Sequence, residues 1–505
     1  MKENPVGVYR KIMSSTAIFS SAQVLTALIN IIRGKLVASI LHSTGIGISS
    51  VITSTSNTIQ QLTLMGLNIS AVKDISQANA EEDKHTLDFT VRLVRRLILF
   101  ASLAGMVFTM LFSPLLAKAS FGDTAYTHYF LLLGVAIFFN AMGMGEITVL
   151  QGLRQYKLLA FCSIAPPTCG LLISIPIYYV WGTDGIVPAM IVSYIIYFLV
   201  IRCFSYKYRK REKRPKISLS VAWTKGRHII KFGMVMTIGT FLGTLSSYAL
   251  TIFISNSGDI EDVGFYQTAM VITSQYIGII FTAMATDYYP HLSSLVVNNM
   301  KEAFRLVNQQ IEIVLLVITP LVMLLMLTAP LAIHILLTDE FMAIEQLLCF
   351  LGMTNISKAL CFPMNYLAYA KADKTYIFWF ENILPNAYML TIMLACYHYF
   401  GLQGLAYGAL ATAVIDIIAS TTLIPWRYGF RISADALRLF VMMTIMSSIC
   451  FAGTFAHDSI VKYTVMSAST MICLCYNIWQ LNRRLNLRAL MGRAVRKLKG
   501  NKPAV

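Results

Sequence analysis

The chain has 505 residues, of which 56% are hydrophobic and 13% charged, with a mean hydropathy of +0.64; a soluble domain is about a quarter charged, so the composition excludes a water-soluble enzyme and makes a bilayer the natural solvent. The formal charge of +17 does not indicate a nucleic-acid partner, because the Lys and Arg sit in short gaps between apolar blocks instead of on one soluble face. Nine cysteines fall mainly inside apolar blocks with no CxxC pair, which implies inert small residues and neither disulfide nor metal.

The N-terminus places Lys2, Arg10 and Lys11 ahead of an apolar run but carries no cleavage site, and reads as a retained first helix. Crossing the hydrocarbon core takes about 20 mainly apolar residues. In chain order, blocks that meet this run over 12–40, 46–70, 92–117, 127–150, 159–180 and 186–205. The stretch 202–231 then holds eleven Lys and Arg against one acid, Glu212. Apolar blocks resume over 229–255, 264–288, 311–336, 344–369, 376–399, 404–425, 437–456 and 463–481. The prediction is an all-α polytopic membrane protein of about 14 transmembrane helices.

With the N-terminus in the cytoplasm, nearly all of the 41 Lys and Arg fall on cytoplasmic segments. Lys118 and Lys462 fall outside, and Arg33, Lys35 and Lys358 fall within spans, so both termini are expected to be cytoplasmic. In that orientation no outer loop is large, which disfavours an enzyme built on an extracytoplasmic domain. No Walker A, GxGxxG, HExxH or GxSxG pattern appears, so no catalytic residue, metal or cofactor is expected.

The two halves repeat. Trp181-Gly182-Thr183-Asp184-Gly185-Ile186 resembles Phe400-Gly401-Leu402-Gln403-Gly404-Leu405, 219 residues on, and Pro166 and Pro385 share that offset. Gly47 and Gly264, and Lys157 and Lys374, are each 217 residues apart. A six-helix repeat keeps both copies in one direction, related by an axis along the membrane normal. The expected organisation is an N-lobe at 1–201, a basic cytoplasmic loop at 202–231 that meets anionic headgroups, a C-lobe at 232–425, two added spans at 426–481 and a basic cytoplasmic tail at 482–505.

A charge at the bilayer centre costs about 2.5–3.5 kcal/mol or more, so charges inside spans are functional candidates. Arg33 and Lys35 interrupt the first span. They lie about 200° apart on a helix and cannot point the same way. Two readings stay open: cavity cations suited to phosphate, or an interfacial loop after a helix ending at Ile32. Lys358 lies in the tenth span, as a cavity cation or as the structural partner of Glu381 or Asp416. Those two acids could carry a proton or bind sodium, or form a fixed salt bridge. Glu146 and Asp287 sit near span ends and read as solvated. The second span is rich in polar residues, including Ser54, Asn57, Gln60 and Gln61, which suggests a face on a hydrophilic cavity or interhelical hydrogen bonds. The histidines read as surface or packing residues. Tyr178-Tyr179-Trp181 and Tyr397-Tyr399-Phe400 read as interface belts.

The runs RGKLVASILHSTGIG, LTLMGLNISAVKDISQ, VLQGLRQYK, WGTDGIVPA, VGFYQTA and DYYPHLSSL resemble the multidrug, oligosaccharidyl-lipid and polysaccharide (MOP) exporter superfamily, nearest its O-antigen and polysaccharide flippases. The resemblance implies two helical bundles around a central cavity, alternating access, and movement of undecaprenyl-pyrophosphate-linked oligosaccharide to the outer leaflet of a bacterial inner membrane. It implies a monomer that works beside polysaccharide assembly proteins, with membrane lipids as further contacts. In the related peptidoglycan-lipid flippases, basic residues of the first helix meet the pyrophosphate, and Arg33 matches by its place before LVASI. Their second helix is also basic where this chain has Gln60-Gln61, which fits a different glycan. The alternatives are a cation-coupled multidrug-type exporter of the same superfamily and, from another class, a membrane-embedded glycan-processing enzyme.

Overall fold

The computed structural model describes the backbone of residues 5–80, 84–153, 155–209 and 219–485. Among them every regular element is helical. An apolar solvent requires this, since a helix satisfies its own backbone hydrogen bonds. The elements are α1 (Pro5–Leu64), α2 (Leu67–Ala80), α3 (Lys84–Leu111), α4 (Ser113–Phe121), α5 (Thr127–Gly152), α6 (Tyr156–Trp181), α7 (Ile186–Arg209) and α8 (Leu219–Ser257). They continue as α9 (Ile260–Tyr276), α10 (Gly278–Asn298), α11 (Met300–Leu336), α12 (Glu345–Ala370), α13 (Lys374–Tyr376), α14 (Leu384–Tyr428), α15 (Ala434–Gly453) and α16 (Ser459–Leu485). Nine segments of the described residues are long and apolar enough to cross a membrane, and several of these contain two helical legs.

Two of the expected loops are single-residue breaks. α1 turns at His42 (φ 57°, ψ −171°) and α14 at Gly401 (φ 58°, ψ −142°). Gly182, which the repeat aligns with Gly401, has φ 54° and ψ −131°. A left-handed residue redirects a helix without the length of a loop, and glycine takes that conformation at little steric cost.

His42 has no such freedom, and a side chain there costs about 1–3 kcal/mol. The Glu340 carboxylate offsets the strain: it lies 3.3 Å from His42 Nδ1 and accepts from the Ser43 backbone N–H at 3.1 Å. A β-branched side chain adds crowding and loses the carboxylate contact. His42→Val is expected to lower stability by about 1–3 kcal/mol while His42→Gly is tolerated, as read by thermal unfolding in detergent; equal midpoints for the two variants would remove the strain argument.

The chain divides into two compact units. Unit 1 runs from the N-terminus to Gln267 and includes the short segment Leu336–Glu340. Its core joins Ile52 of α1, Phe130, Leu133 and Ile137 of α5, and Ile186 of α7. A second cluster joins Ile75 of α2, Val94 of α3 and Val149 of α5. Hydrocarbon tails are as apolar as Leu, so close backbone approach has to supply much of the cohesion. Gly66 and Gly233 provide it between the end of α1 and α8, where a methyl on either would overlap the other's backbone.

Unit 2 holds Thr268–Ile335 and the chain from Phe341 onward. Its core runs through Leu292 of α10, Ile318 and Met323 of α11, Leu360 and Met364 of α12, Met443 of α15 and Cys473 of α16. The final helix pair therefore packs in the same core as α11 and α12. A π-helical turn at Ile377–Ile383 precedes α14. Pro385 explains it: without an N–H it cannot bond the Glu381 carbonyl, and the ladder lengthens, as in the Leu384 N–H to Trp379 carbonyl bond.

Helix α7 extends to Arg209 and α8 begins at Leu219, so both shoulders of the basic stretch are helical. Its centre at 210–218 and the tail from 486 lie outside the described residues, as does the Asp287 side chain. The nine thiols are free, and five of them are buried.

Two expectations are corrected. Glu146 is not solvated: it is 3% exposed, 2.8 Å from Arg95 and 3.8 Å from Arg202, and accepts a hydrogen bond from Ser205 at 3.0 Å. Three helices converge there, and each supplies one part of a closed polar set. Tyr178 and Tyr397 are buried, whereas their neighbours Tyr179, Trp181, Tyr399 and Phe400 are exposed and free to form the belts. The exposed end of unit 2 carries a further set, in which Asp373 accepts from the Tyr376 N–H, Arg427 and Tyr428. Burial would raise the Asp373 carboxyl, but those three donors outweigh it and hold it below the usual carboxylate range.

Candidate functional site

Arg33 and Lys35 lie within continuous helix, because α1 does not break until His42. Nine residues before that break put Arg33 about 14 Å down the helix axis, close to half of a core about 30 Å thick. Lys35 is exposed and Arg33 half-buried, as the angle between them requires. The Arg33 guanidinium reaches the Tyr178 hydroxyl of α6 and lies near Tyr194 of α7. A methyl built on Gly170 of α6 would stand 3.9 Å from Arg33 Nη1 and 3.8 Å from Ser193 Oγ, with nothing closer. Room is therefore left beside the cation. Ser193 Oγ and Ser174 Oγ, on the same two helices, are buried without a hydrogen-bond partner. Among the described residues no carboxylate pairs with Arg33. A guanidinium surrounded by hydroxyls and space is a donor set for an oxyanion.

On the second leg of α1, Ser54 is half-buried and Asn57 exposed. Gln60 is buried and accepts from Asn140 of α5 at 3.3 Å. Gln61 donates to Thr244 of α8 at 2.9 Å. The two glutamines thus each bond a neighbouring helix. Gln60 Nε2 and Gln61 Oε1 have no protein partner, and Asn57 is open to solvent.

Lys358, Glu381 and Asp416 come together in unit 2. Lys358 is exposed near the middle of α12, within electrostatic reach of Asp416 on α14. Asp416 accepts a short hydrogen bond from Tyr388 on the other leg of α14, and Glu381 in the π turn is electrostatically coupled to it. Tyr388 and Asp416 lie on opposite sides of the Gly401 break, about 20 Å along each leg, so the break folds them to one depth. No ion pair closer than 4.0 Å joins Lys358 to either acid among the described residues. Two carboxylates and one ammonium leave one negative charge in excess when all are ionised, a set that one proton or one monovalent cation would neutralise. Among the described residues no group of His, Cys, Asp and Glu could hold a metal ion by ligand number.

A family model described as polysaccharide biosynthesis protein matches residues 36–346. The chain belongs to the polysaccharide biosynthesis protein family. No curated protein is matched by sequence. Among solved structures, the lipid II flippase MurJ in an inward closed conformation matches with a TM-score of 0.64 at 13% identity, over 93% of this chain and 99% of that one. A multidrug resistance MATE family transporter of the MOP superfamily gives 0.58 at 16% identity, over 85% and 96%. A MOP superfamily transporter from Pyrococcus furiosus gives 0.56 at 14%, over 86% and 94%. At such identities the likeness is one of fold. This member of the polysaccharide biosynthesis family is a multi-pass membrane protein with the MOP transporter fold, whose solved examples are a flippase and transporters, not enzymes. Arg33 and Lys35 precede the family match, and Lys358, Glu381 and Asp416 follow it.

Sequence reasoning missed the partners of these charges. Tyr178 has the look of a belt tyrosine, and Tyr194, Ser193, Gly170 and Tyr388 carry no local signal. Tyr178 has a repeat mate in Tyr397, 219 residues on, and both are buried. That shared offset was a usable clue.

Proposed function

We propose that the chain is a flippase for undecaprenyl-pyrophosphate-linked oligosaccharide, an O-antigen or other surface polysaccharide unit, working by alternating access in a bacterial inner membrane with both termini cytoplasmic. The observation that carries the reading is Arg33: a cation near mid-depth, without a carboxylate, beside free space and unpartnered hydroxyls. Leaving a guanidinium so placed costs several kcal/mol unless an anion visits it. The pyrophosphate is such an anion, and Lys35 and Lys358 supply further cationic contacts. Ser54, Asn57 and the free amide groups of Gln60 and Gln61 offer hydrogen bonds to sugar. Glu381 and Asp416 are the groups for coupling to a proton or sodium gradient, since their cluster is one positive charge short.

The test is transport by the purified chain in vesicles loaded with the lipid-linked oligosaccharide in the inner leaflet. Glycan is expected to become accessible to an external lectin at least tenfold faster than in empty vesicles. Equal rates with and without protein, under both a proton and a sodium gradient, would overturn the reading.

A further inference from the structure

The repeat has a meeting point inside unit 1. Gly47 of α1 packs against the Ile260 carbonyl at the start of α9, and Gly264 of α9 packs against the Ser43 carbonyl of α1. A methyl at either glycine would overlap the facing oxygen. Adding the 217-residue repeat offset to 43, 44 and 47 gives 260, 261 and 264. The contact is therefore isologous: position 47 of one copy meets position 43 of the other, and the reverse. Between them Thr44 Oγ1 donates to Glu261 Oε1 at 3.0 Å, so position 44 meets its own mate and lies on the pseudo-two-fold axis.

The same end is bound by a strap. Glu340 accepts from the Ser43 N–H, from the Ser43 hydroxyl and pairs with His42. It belongs to Leu336–Glu340, a short run held in unit 1 while the chain on both sides belongs to unit 2.

We propose that this glycine contact is a closure on the symmetry axis, which shuts the passage between the two repeat copies at one end and must open and re-form in every transport cycle. Two features suit it to reversible use. The faces that touch are backbone, so no interdigitated side chains have to be withdrawn. The bonds that fasten it, Thr44–Glu261 and Ser43–Glu340, join a carboxylate to a neutral donor at a half-exposed rim, where water can replace either partner at small net cost. In the proposed orientation this is the outer end. The inference rests on transport by alternating access and not on the identity of the glycan.

The experiment is a full-length Thr44→Cys/Glu261→Cys chain, oxidised in membranes and followed by electrophoretic mobility and by glycan export from cells. The pair is expected to cross-link in most molecules, to reduce export more than tenfold when oxidised, and to regain it on reduction. Each single variant should be indifferent to oxidation. Gly47→Ala or Gly264→Ala, added to the pair, should lower the cross-linking yield several-fold in protein that remains monodisperse by size-exclusion chromatography. Undiminished export by fully cross-linked protein would overturn the proposal. So would a yield unchanged by both alanines, or the absence of cross-linking in folded protein. A wrong glycan assignment would leave the cross-linking yields as they are and alter only the export readout.

Discussion

Glycan export is lost when Arg33 is replaced by Ala, although the chain still inserts and folds. A hydrogen bond to a charged group contributes about 1.5–3 kcal/mol, and a guanidinium makes two to a phosphoryl oxygen pair, so the expected loss is about a hundredfold or more. Arg33→Lys keeps the charge and loses the fork, and is expected to fall between the two, about tenfold below the parent. The measurement is surface polysaccharide normalised to protein in the membrane. Wild-type export by Arg33→Ala would sink the phosphate assignment. A structural role predicts something else: because Arg33 has no carboxylate to abandon, removing it should leave thermal stability close to that of the parent.

The opposite pattern is expected at Glu146. There the carboxylate is the single acid facing Arg95 and Arg202, with Ser205 completing the set. Breaking a buried pair from one side costs about 3–5 kcal/mol, because the charge left behind has lost its compensation. Arg202 still reaches solvent and Arg95 has other contacts, so Glu146→Ala should lie near the lower limit, about 3 kcal/mol. Unfolding in detergent should shift accordingly, with a lower yield of membrane-inserted protein. Glu146→Gln keeps the hydrogen bonds in part and should recover some of the loss. A Glu146→Ala protein as stable as the parent would show that the three helices do not need the charge.

These two residues also mark how much was legible in the sequence. The helical class followed from apolar blocks of bilayer length, which the solvent imposes on any spanning chain. The repeat followed from glycines, because backbone geometry at a break is read directly from residue type. Arg33 and Lys358 could be singled out because a charge inside an apolar run is conspicuous. What the sequence could not supply was the partner. Whether an acid is solvated, as Glu146 seemed by its place near a span end, depends on side chains 51 and 59 residues away. Tyr178 and Tyr179 are neighbours in sequence, yet one faces a guanidinium and the other the exterior. The single-residue breaks at His42 and Gly401 were equally hidden, since an apolar gap of a few residues reads the same whether it is a loop or one torsion angle.

The paired breaks at Gly182 and Gly401 carry a consequence for how such a chain diverges. The two copies share few side chains, but the backbone at these positions agrees to within about ten degrees in both torsions. Side chains around a lipid-facing or core position can exchange for one another at small cost, and two copies drift apart there freely. A left-handed corner has almost no substitutes, because every other residue type must climb out of its preferred region to occupy it. Divergence inside one polypeptide thus erodes composition first and stereochemistry last. When most other likeness between the halves is gone, the corners are where a common origin can still be measured.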